Sequence, residues 1–269
     1  MSAKIGIIGG SGFYSMLEDP QFMAVESDYG ETSDDIAVGT INGKEVAFIP
    51  RHAAEHTITP QNVPYRANID VMSKLGVKRI IATNAVGSLK AEYAPGDFVI
   101  FDQFVNMTSC RNDTFYDKQV VAHVSTADPY CSELRSIASS EAKTLGINVH
   151  DAGTVVVVGG PRFSTRAESR FFRAQGFDVI NMTQYPEAAL AREKGICYVG
   201  IGIVTDYDAG LEGDSGIKPV SADIINEVFA KSIEKMHKLV MRIIEATPDT
   251  ASCSCSTALD GAIMTKHIR

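Results

Sequence analysis

Two stretches decide the fold of this chain: Asn181-Met182-Thr183 and Thr205-Asp206-Tyr207-Asp208. Each follows an apolar run typical of a buried strand, at residues 177–181 and 197–204. Polar residues just past the carboxyl ends of such strands lie at the edge where open α/β sheets bind ligands. Two carboxylates one residue apart can hold a heterocycle by its edge, because one gives a proton while the other accepts from an amino group. A solvated Asp-rich turn is the competing interpretation.

Strand-like and helix-like segments alternate along the chain, which predicts a single-domain α/β fold with a central mixed β-sheet flanked by helices. Asn42-Gly43 predicts a hairpin turn within residues 36–49. Ser221 is a candidate N-cap for the longest helix, which should end before Pro248. Further strands are expected at 4–8, 79–83, 98–101 and 153–158, a turn at 84–88, a mobile loop at 209–218, and helices at 64–75, 129–145, 164–174 and 184–194. Residues 1–248 are predicted as the domain, and 249–269 as a tail with a short helix near 259–264.

Composition narrows the class of protein. The 269 residues are 45% hydrophobic and 22% charged, as in ordinary globular domains, and carry a net charge of -8. No block of Lys or Arg occurs, which argues against partners such as nucleic acid or a membrane surface. The N-terminus runs directly into a strand, and no apolar run reaches the length of a membrane span, so a cytoplasmic location is expected.

The five cysteines do not make a closed disulfide framework, because their number is odd. Cys253-Ser254-Cys255 is compatible with a redox pair, a disulfide or two inert thiols. Cys131 and Cys197 are candidates for a second pair, and five reduced thiols, Cys110 included, are the competing state. The lack of a second close-spaced pair argues against a four-cysteine zinc site. No metal site is predicted.

Several polar motifs follow predicted strands. Gly9-Gly10-Ser11-Gly12 fits either a phosphate-binding loop or a tight strand-to-helix turn, and it matches neither the dinucleotide fingerprint nor the Walker A motif. Arg51-His52 offers a planar fork of donors for phosphate oxygens, although such pairs are also common on surfaces. Asn84-Ala85-Val86-Gly87-Ser88 and Thr183 add amide and hydroxyl groups. Phe163 is either a ring that stacks on a base or a core residue.

In order, the matching motifs are Gly6-Ile7-Ile8-Gly9-Gly10-Ser11-Gly12, Arg51-His52, His56-Thr57-Ile58, Asn84-Ala85-Val86-Gly87-Ser88-Leu89, Gly160-Pro161-Arg162-Phe163-Ser164, Arg166-Ala167-Glu168, Ile180-Asn181-Met182-Thr183, Pro186-Glu187 and Thr205-Asp206-Tyr207-Asp208. Together they resemble the S-methyl-5'-thioadenosine phosphorylase family within the purine nucleoside phosphorylase superfamily. They span residues 6–208 almost continuously, and their combination is far more specific than any one of them.

This resemblance implies an enzyme whose co-substrate is inorganic phosphate and which needs no cofactor. Phosphate attacks C1' of methylthioadenosine, giving adenine and 5-methylthioribose 1-phosphate. The resemblance makes Asp206 the proton donor to N7 of the base and Asp208 the acceptor for the 6-amino group. Phe163 stacks on the base, and Met182 lies against the ribose. The phosphate set carried over by motif is Ser11, Arg51, His52, Asn84, Ala85 and Thr183.

The resemblance also implies an oligomer, either a homotrimer or a dimer of trimers. His123 matches a position that a neighbouring subunit lends to the 5'-methylthio pocket. Three residues depart from the usual pattern: Ser11 and Asn84 stand where Thr is common, and Gly159 stands where a Glu usually precedes Gly-Pro-Arg-Phe.

Two other functions compete with this one. Phosphorolysis of 6-oxopurine nucleosides or methylthioinosine would need a donor opposite the 6-oxo group, whereas an ionised Asp208 can only accept. A non-enzymatic nucleotide-binding module would use the N-terminal glycines, whose spacing does not fit the dinucleotide fingerprint.

Overall fold

The computed structural model describes residues 4–209, 217 and 220–265, so most of the predicted mobile loop at 209–218 lies outside the described residues. The strands are β1 (Ile5–Gly9), β2 (Glu18–Met23), β3 (Ile36–Ile41), β4 (Lys44–Pro50), β5 (Arg79–Ser88), β6 (Phe98–Ile100), β7 (Gln103–Met107), β8 (Val149–His150), β9 (Thr154–Val158), β10 (Val179–Asn181) and β11 (Cys197–Asp206). The helices are α1 (Tyr65–Lys74), α2 (Ser132–Thr144), α3 (Arg166–Ala174), α4 (Gln184–Glu193) and α5 (Ala222–Ala246). Short 3-10 segments lie at Ser11–Met16 and Cys255–Thr257.

The eleven described strands form one mixed sheet, which confirms the predicted α/β class. Strand β5 is its centre, with β1 and β11 parallel to it and β10 antiparallel. All ten residues of β11 are buried, as expected for a strand covered on both faces. Gly202 is required there, because a Cβ would lie 2.8 Å from the ring of Phe101.

The C-terminal half of helix α5 packs against the core. Its buried side chains begin at Ser232 and continue through Ile244, packed against the core and near α2. Lys44 Nζ donates to the carbonyls of Ile244, Glu245 and Thr247 at 2.7 to 3.0 Å. A cation at this position offsets the partial negative charge of the helix C-terminus. The first turns of α5 are left outside the core.

Several predicted boundaries were wrong. Strand β5 continues through residue 88, where a turn was expected at 84–88, because residues 84–87 pair with β11 and residues 87–88 with β10. Strand β11 likewise includes Thr205 and Asp206. Strands β2, β7 and β8 carried too weak a pattern to be predicted. The tail has no helix at 259–264; it has turns there and a bridge between Ile263 and Ala122. The division at residue 248 stays a prediction.

The fold gathers four cysteines that are far apart in sequence. The Sγ atoms of Cys131, Cys197, Cys253 and Cys255, here named the thiol cluster, all lie within 4.8 Å of one another. Cys131 precedes α2, Cys197 begins β11, and the other two come from the tail. The four cysteines thus meet although the sequence has a single close-spaced pair, because the tail folds back onto β11; the expected lack of a zinc site stays a prediction. All four are free thiols, so the suggested disulfides stay a prediction, and Cys110 is exposed elsewhere.

Within the described ranges, no helix combines the length and the apolar composition needed to cross a bilayer.

Candidate active site

A cavity of about 410 Å³ opens at the carboxyl ends of β1, β4, β10 and β11, beside the second half of β5. It brings together every predicted site residue except His123; its members are Ser11, Arg51, His52, Asn84, Ala85, Phe163, Met182, Thr183, Asp206 and Asp208. His123 is exposed, and its backbone N–H donates to the carbonyl of Ala262. Within one chain, His123 therefore does not reach the cavity.

Asp206 is the last residue of β11, and its carboxylate is buried. Oδ1 accepts from the backbone N–H of Asp208 at 2.7 Å, and Oδ2 lies 2.8 Å from the Thr205 hydroxyl. Burial raises the pKa of Asp206 to about 6, with a smaller contribution from the charge of Asp208 and opposition from these two hydrogen bonds. Gly87 makes room for the group, since a Cβ there would lie 2.9 Å from Asp206 Oδ1. A carboxyl with this pKa can carry and release a proton near neutral pH.

Asp208 has a left-handed backbone conformation, with φ of 50°. Its backbone N–H donates to the carboxylate of Asp206, two residues earlier. Its Oδ2 is buried without a hydrogen-bond partner among the described residues. Burial raises the pKa of Asp208, while the nearby hydroxyls of Ser169 and Ser164 oppose the shift. A buried acceptor without a partner that lines a cavity is available to a ligand's donor.

Arg51 does not present a free guanidinium to the cavity. Its Nε and Nη2 donate to the two carboxylate oxygens of Glu187 at 2.7 and 2.8 Å, and Nη1 donates to the carbonyl of Thr83 at 2.9 Å. The side chains of Arg51 and Glu187 are 3% and 1% exposed. Burial alone would lower the pKa of Arg51, but the ion pair with Glu187 raises it. Arg51 thus stays charged, and its ion pair with Glu187 offsets the positive charge that the sequence placed here.

His52 is oriented by the backbone. Its Nδ1 lies 2.8 Å from the carbonyl of Ile58, so Nδ1 must carry the proton and donate. Burial, with a further contribution from Arg51, lowers the pKa of His52 to about 4. The imidazole is therefore neutral at pH 7, and Nε2 is an acceptor. The expected role as a phosphate donor changes: neutral His52 is suited to accept a hydrogen bond from a protonated phosphate oxygen.

Asn84 on β5 and Thr183, two residues past the end of β10, contact each other. The Thr183 hydroxyl donates to Asn84 Oδ1 at 3.1 Å, and Asn84 Nδ2 approaches the carbonyl of Ala82 at 3.4 Å. One amide hydrogen of Asn84 remains for a ligand. Ser11, after β1, begins a short 3-10 segment and keeps its hydroxyl at the cavity.

The wall of the cavity that holds Phe163 and Met182 is apolar. Phe163 is 40% exposed, which excludes the core interpretation. Gly160, with φ of 64°, lies so close to Met182 that a Cβ would be 2.4 Å from the Met182 sulfur. The first turns of α5 add Ile225 and Phe229 to the wall, residues that the sequence analysis did not assign to the site.

Glu187 was also missed as a functional residue, although its motif was noted. The signal in the sequence was an acidic residue within the otherwise apolar run Pro186-Glu187-Ala188-Ala189-Leu190. Because this helix face is buried, a carboxylate on it is expected to form an ion pair. In the described chain the one group of side chains spaced like metal ligands is the thiol cluster, not the cavity.

Comparison with known proteins agrees with this geometry. The family model described as "Phosphorylase superfamily" matches residues 4–245. The S-methyl-5'-thioadenosine phosphorylase of Pyrococcus horikoshii is 53% identical over 95% of this chain and 97% of its own length. The enzyme of the same name from Thermofilum pendens is 49% identical over 97% of this chain and 98% of its own.

Solved structures give the same result. Methylthioadenosine phosphorylase from Schistosoma mansoni in complex with adenine superposes with a TM-score of 0.91 at 34% identity, covering 98% of this chain and 99% of that one. A methylthioadenosine phosphorylase from an Antarctic soil metagenomic library gives the same TM-score at 40% identity, covering 98% of this chain and 93% of that one. The chain belongs to the phosphorylase superfamily.

Proposed function

We propose that this protein cleaves S-methyl-5'-thioadenosine with inorganic phosphate, releasing adenine and 5-methylthioribose 1-phosphate. The observation that carries the proposal is the buried pair Asp206 and Asp208 in the same cavity as the phosphate set. The names of the relatives at 53% and 49% identity support the choice of substrate.

Asp206 supplies the proton in this reaction. As a phosphate oxygen bonds to C1' and the bond from C1' to N9 breaks, the base gains electron density, and a proton from Asp206 to N7 neutralises it. A pKa of about 6 leaves about one tenth of Asp206 protonated at pH 7, enough for general acid catalysis.

The phosphate binds at the opposite end of the cavity and stabilises positive charge on the sugar. Its donors are the Ser11 hydroxyl, the remaining Asn84 amide hydrogen and the backbone near Ala85, with Thr183 alongside. Because Glu187 offsets the charge of Arg51, the dihydrogen phosphate monoanion, with one hydroxyl donating to His52, suits the site better than a dianion, which would need an unpaired guanidinium.

The base preference rests on Asp208. Its ionised Oδ2 accepts a hydrogen bond from a 6-amino group and repels a 6-oxo oxygen. Burial raises the pKa of Asp208, and the protonated form would donate to a 6-oxo group. Methylthioinosine phosphorolysis is therefore the second candidate, favoured at low pH. Gly159 supplies no carboxylate here, so Asp208 acts without the usual Glu.

The active form is a homotrimer or a dimer of trimers in the cytoplasm, serving purine and methionine salvage. The support is the exposure of His123, which can complete a 5'-methylthio pocket only in a neighbouring subunit. A monomeric species with full activity on light scattering would rule this arrangement out.

The deciding experiment mixes the protein with methylthioadenosine or methylthioinosine, each with and without phosphate, and follows the free base by chromatography. Adenine release that requires phosphate, and that exceeds hypoxanthine release at pH 7.5, is the expected result. Base release without phosphate would make the protein a hydrolase, and faster release from methylthioinosine would favour the second candidate.

A further inference from the structure

Arg111 lies outside the predicted site, in the irregular segment after β7, yet it contacts both loops of the nucleoside end. Its Nη1 donates to the carbonyls of Met182 and Tyr185 at 2.8 and 2.5 Å. Nη2 donates to the carbonyl of Gly159 at 3.2 Å, and Nε approaches Gln61 Oε1 at 3.4 Å. One guanidinium therefore joins the loop after β10 to the loop after β9.

The cation makes these contacts without a carboxylate. Among the described residues it forms no salt bridge, and its four acceptors are three backbone carbonyls and one amide oxygen. The Arg111 Cζ atom lies over the Tyr65 ring, 5.2 Å from the ring centre. Burial lowers the pKa of Arg111, so placing a charge here is costly. A guanidinium presents five donors from three nitrogens in a fixed plane and so reaches acceptors on separate segments, whereas an ammonium presents three donors from one nitrogen.

The two loops that Arg111 joins carry the apolar part of the cavity. Met182 lines the cavity directly, and the carbonyl that Arg111 holds is its own. Gly159 precedes the turn that leads to Phe163, another cavity residue. The adjacent Gly160 packs on the Met182 sulfur, so the spacing between the loops admits no side chain. A small change in the Arg111 contacts would move Met182 relative to Phe163.

We propose that Arg111 is a positioning residue for the nucleoside: it fixes the distance between the Met182 loop and the Phe163 loop, and of the phosphate set only Thr183 lies on either loop. The kinetic part of this inference rests on the proposed function. The structural part does not, because it concerns two backbone segments that exist with or without a substrate.

The test compares Arg111→Met and Arg111→Lys with a control, Arg66→Met. Arg66 is a neighbouring arginine that contacts the same segment, through Asp117 and the carbonyl of Thr114, but reaches neither loop of the cavity. We expect both Arg111 variants to lower kcat/KM for methylthioadenosine by about 10- to 100-fold, the usual effect of misplacing a reacting group by an ångström. The KM for phosphate should rise less than the KM for methylthioadenosine, because Thr183 is the one phosphate residue on either loop, and the control variant should stay within about 2-fold of wild type.

Two further readouts separate positioning from general loss of structure. In Arg111→Met, amide hydrogen exchange should accelerate at residues 159–164 and 182–186 and stay unchanged in β1 and β4. In Arg111→Ala, millimolar guanidinium should restore activity, and methylammonium at the same concentration should not.

Equal effects on the two KM values, or exchange that accelerates throughout the chain, would overturn the inference. Unchanged exchange in both loops would overturn it as well. A wild-type protein that releases no base would refute the proposed function alone, since the exchange comparison requires no turnover.

Discussion

Replacing Asp206 by Asn should slow the reaction and stabilise the folded protein at the same time. Asp206 Oδ1 accepts one hydrogen bond, from the N–H of Asp208, and an Asn oxygen can do the same. The Asn amide can then donate to Thr205 Oγ1, whose own hydrogen can go to the carbonyl of Val86 at 3.2 Å. The substitution therefore leaves no buried polar group without a partner, and it removes a buried charge.

The size of the stabilisation follows from the pKa. The pKa of Asp206 is 3.8 in its ordinary state and about 6 in the folded protein. Well below pH 3.8 both the folded and the unfolded state bind the proton, so the carboxyl costs little. Between the two pKa values only the unfolded state releases it, and stability falls as pH rises. Above pH 6 the full cost remains, about 3 kcal/mol for a shift of about two units.

Urea unfolding at a fixed protomer concentration, without phosphate, measures this cost. Asp206→Asn should exceed wild type in unfolding free energy by about 3 kcal/mol at pH 8 and by about 0.6 kcal/mol at pH 4. Its turnover should fall by roughly 10²- to 10⁴-fold. A variant that is no more stable than wild type at pH 8 would refute the argument that burial raises this pKa. An unchanged turnover number would refute the role as general acid.

Three other predictions concern separate parts of the molecule. Asp208→Asn should shift the ratio of kcat/KM values from adenosine-type toward inosine-type substrates, and a constant ratio would mean that Asp208 does not read position 6 of the base. Arg51→Ala should lower the unfolding free energy by about 3–5 kcal/mol, because the buried Glu187 loses its cationic partner and keeps only the hydrogen bond from Tyr198; combining Arg51→Met with Glu187→Gln should recover most of that loss, and both the single and the double variant should raise the KM for phosphate more than that for the nucleoside. Mild oxidation should close two disulfides within the thiol cluster and leave Cys110 as the thiol that alkylates after denaturation, whereas five alkylated cysteines on mass spectrometry would contradict this.

The sequence was sufficient for the parts of the site that follow strands. Apolar runs ending in polar residues predicted β1, β4, β10 and β11, and parallel strands place their carboxyl ends at one edge of the sheet. Every site residue that was predicted because it follows such a run lines the cavity. Two boundaries were misplaced because the strand pairing of β5 and β11 continues through small and polar residues, which local propensity assigns to turns.

Contacts between distant segments could not be predicted in this way. Arg51 and Glu187 are 136 residues apart, and Arg111 and Met182 are 71 apart. In each case the sequence contains a charged residue with no local partner, and only the fold decides which one it meets. The Arg51-His52 motif therefore predicted a cation at the site but did not identify Glu187, the carboxylate that pairs with it.

The ion pair between Arg51 and Glu187 lowers the net positive charge of the cavity, which affects both phosphate binding and the general acid. A site with a bare arginine at one end and a buried acid at the other would have a strong field between them. Here Glu187 offsets the arginine, His52 is neutral, and the other proposed phosphate donors are uncharged hydroxyl and amide groups. A cavity with little positive charge of its own also does little to stabilise an ionised Asp206, so its pKa stays raised by burial. The pKa of about 6 leaves about one tenth of Asp206 protonated at pH 7, and the same shortage of positive charge limits the attraction for phosphate.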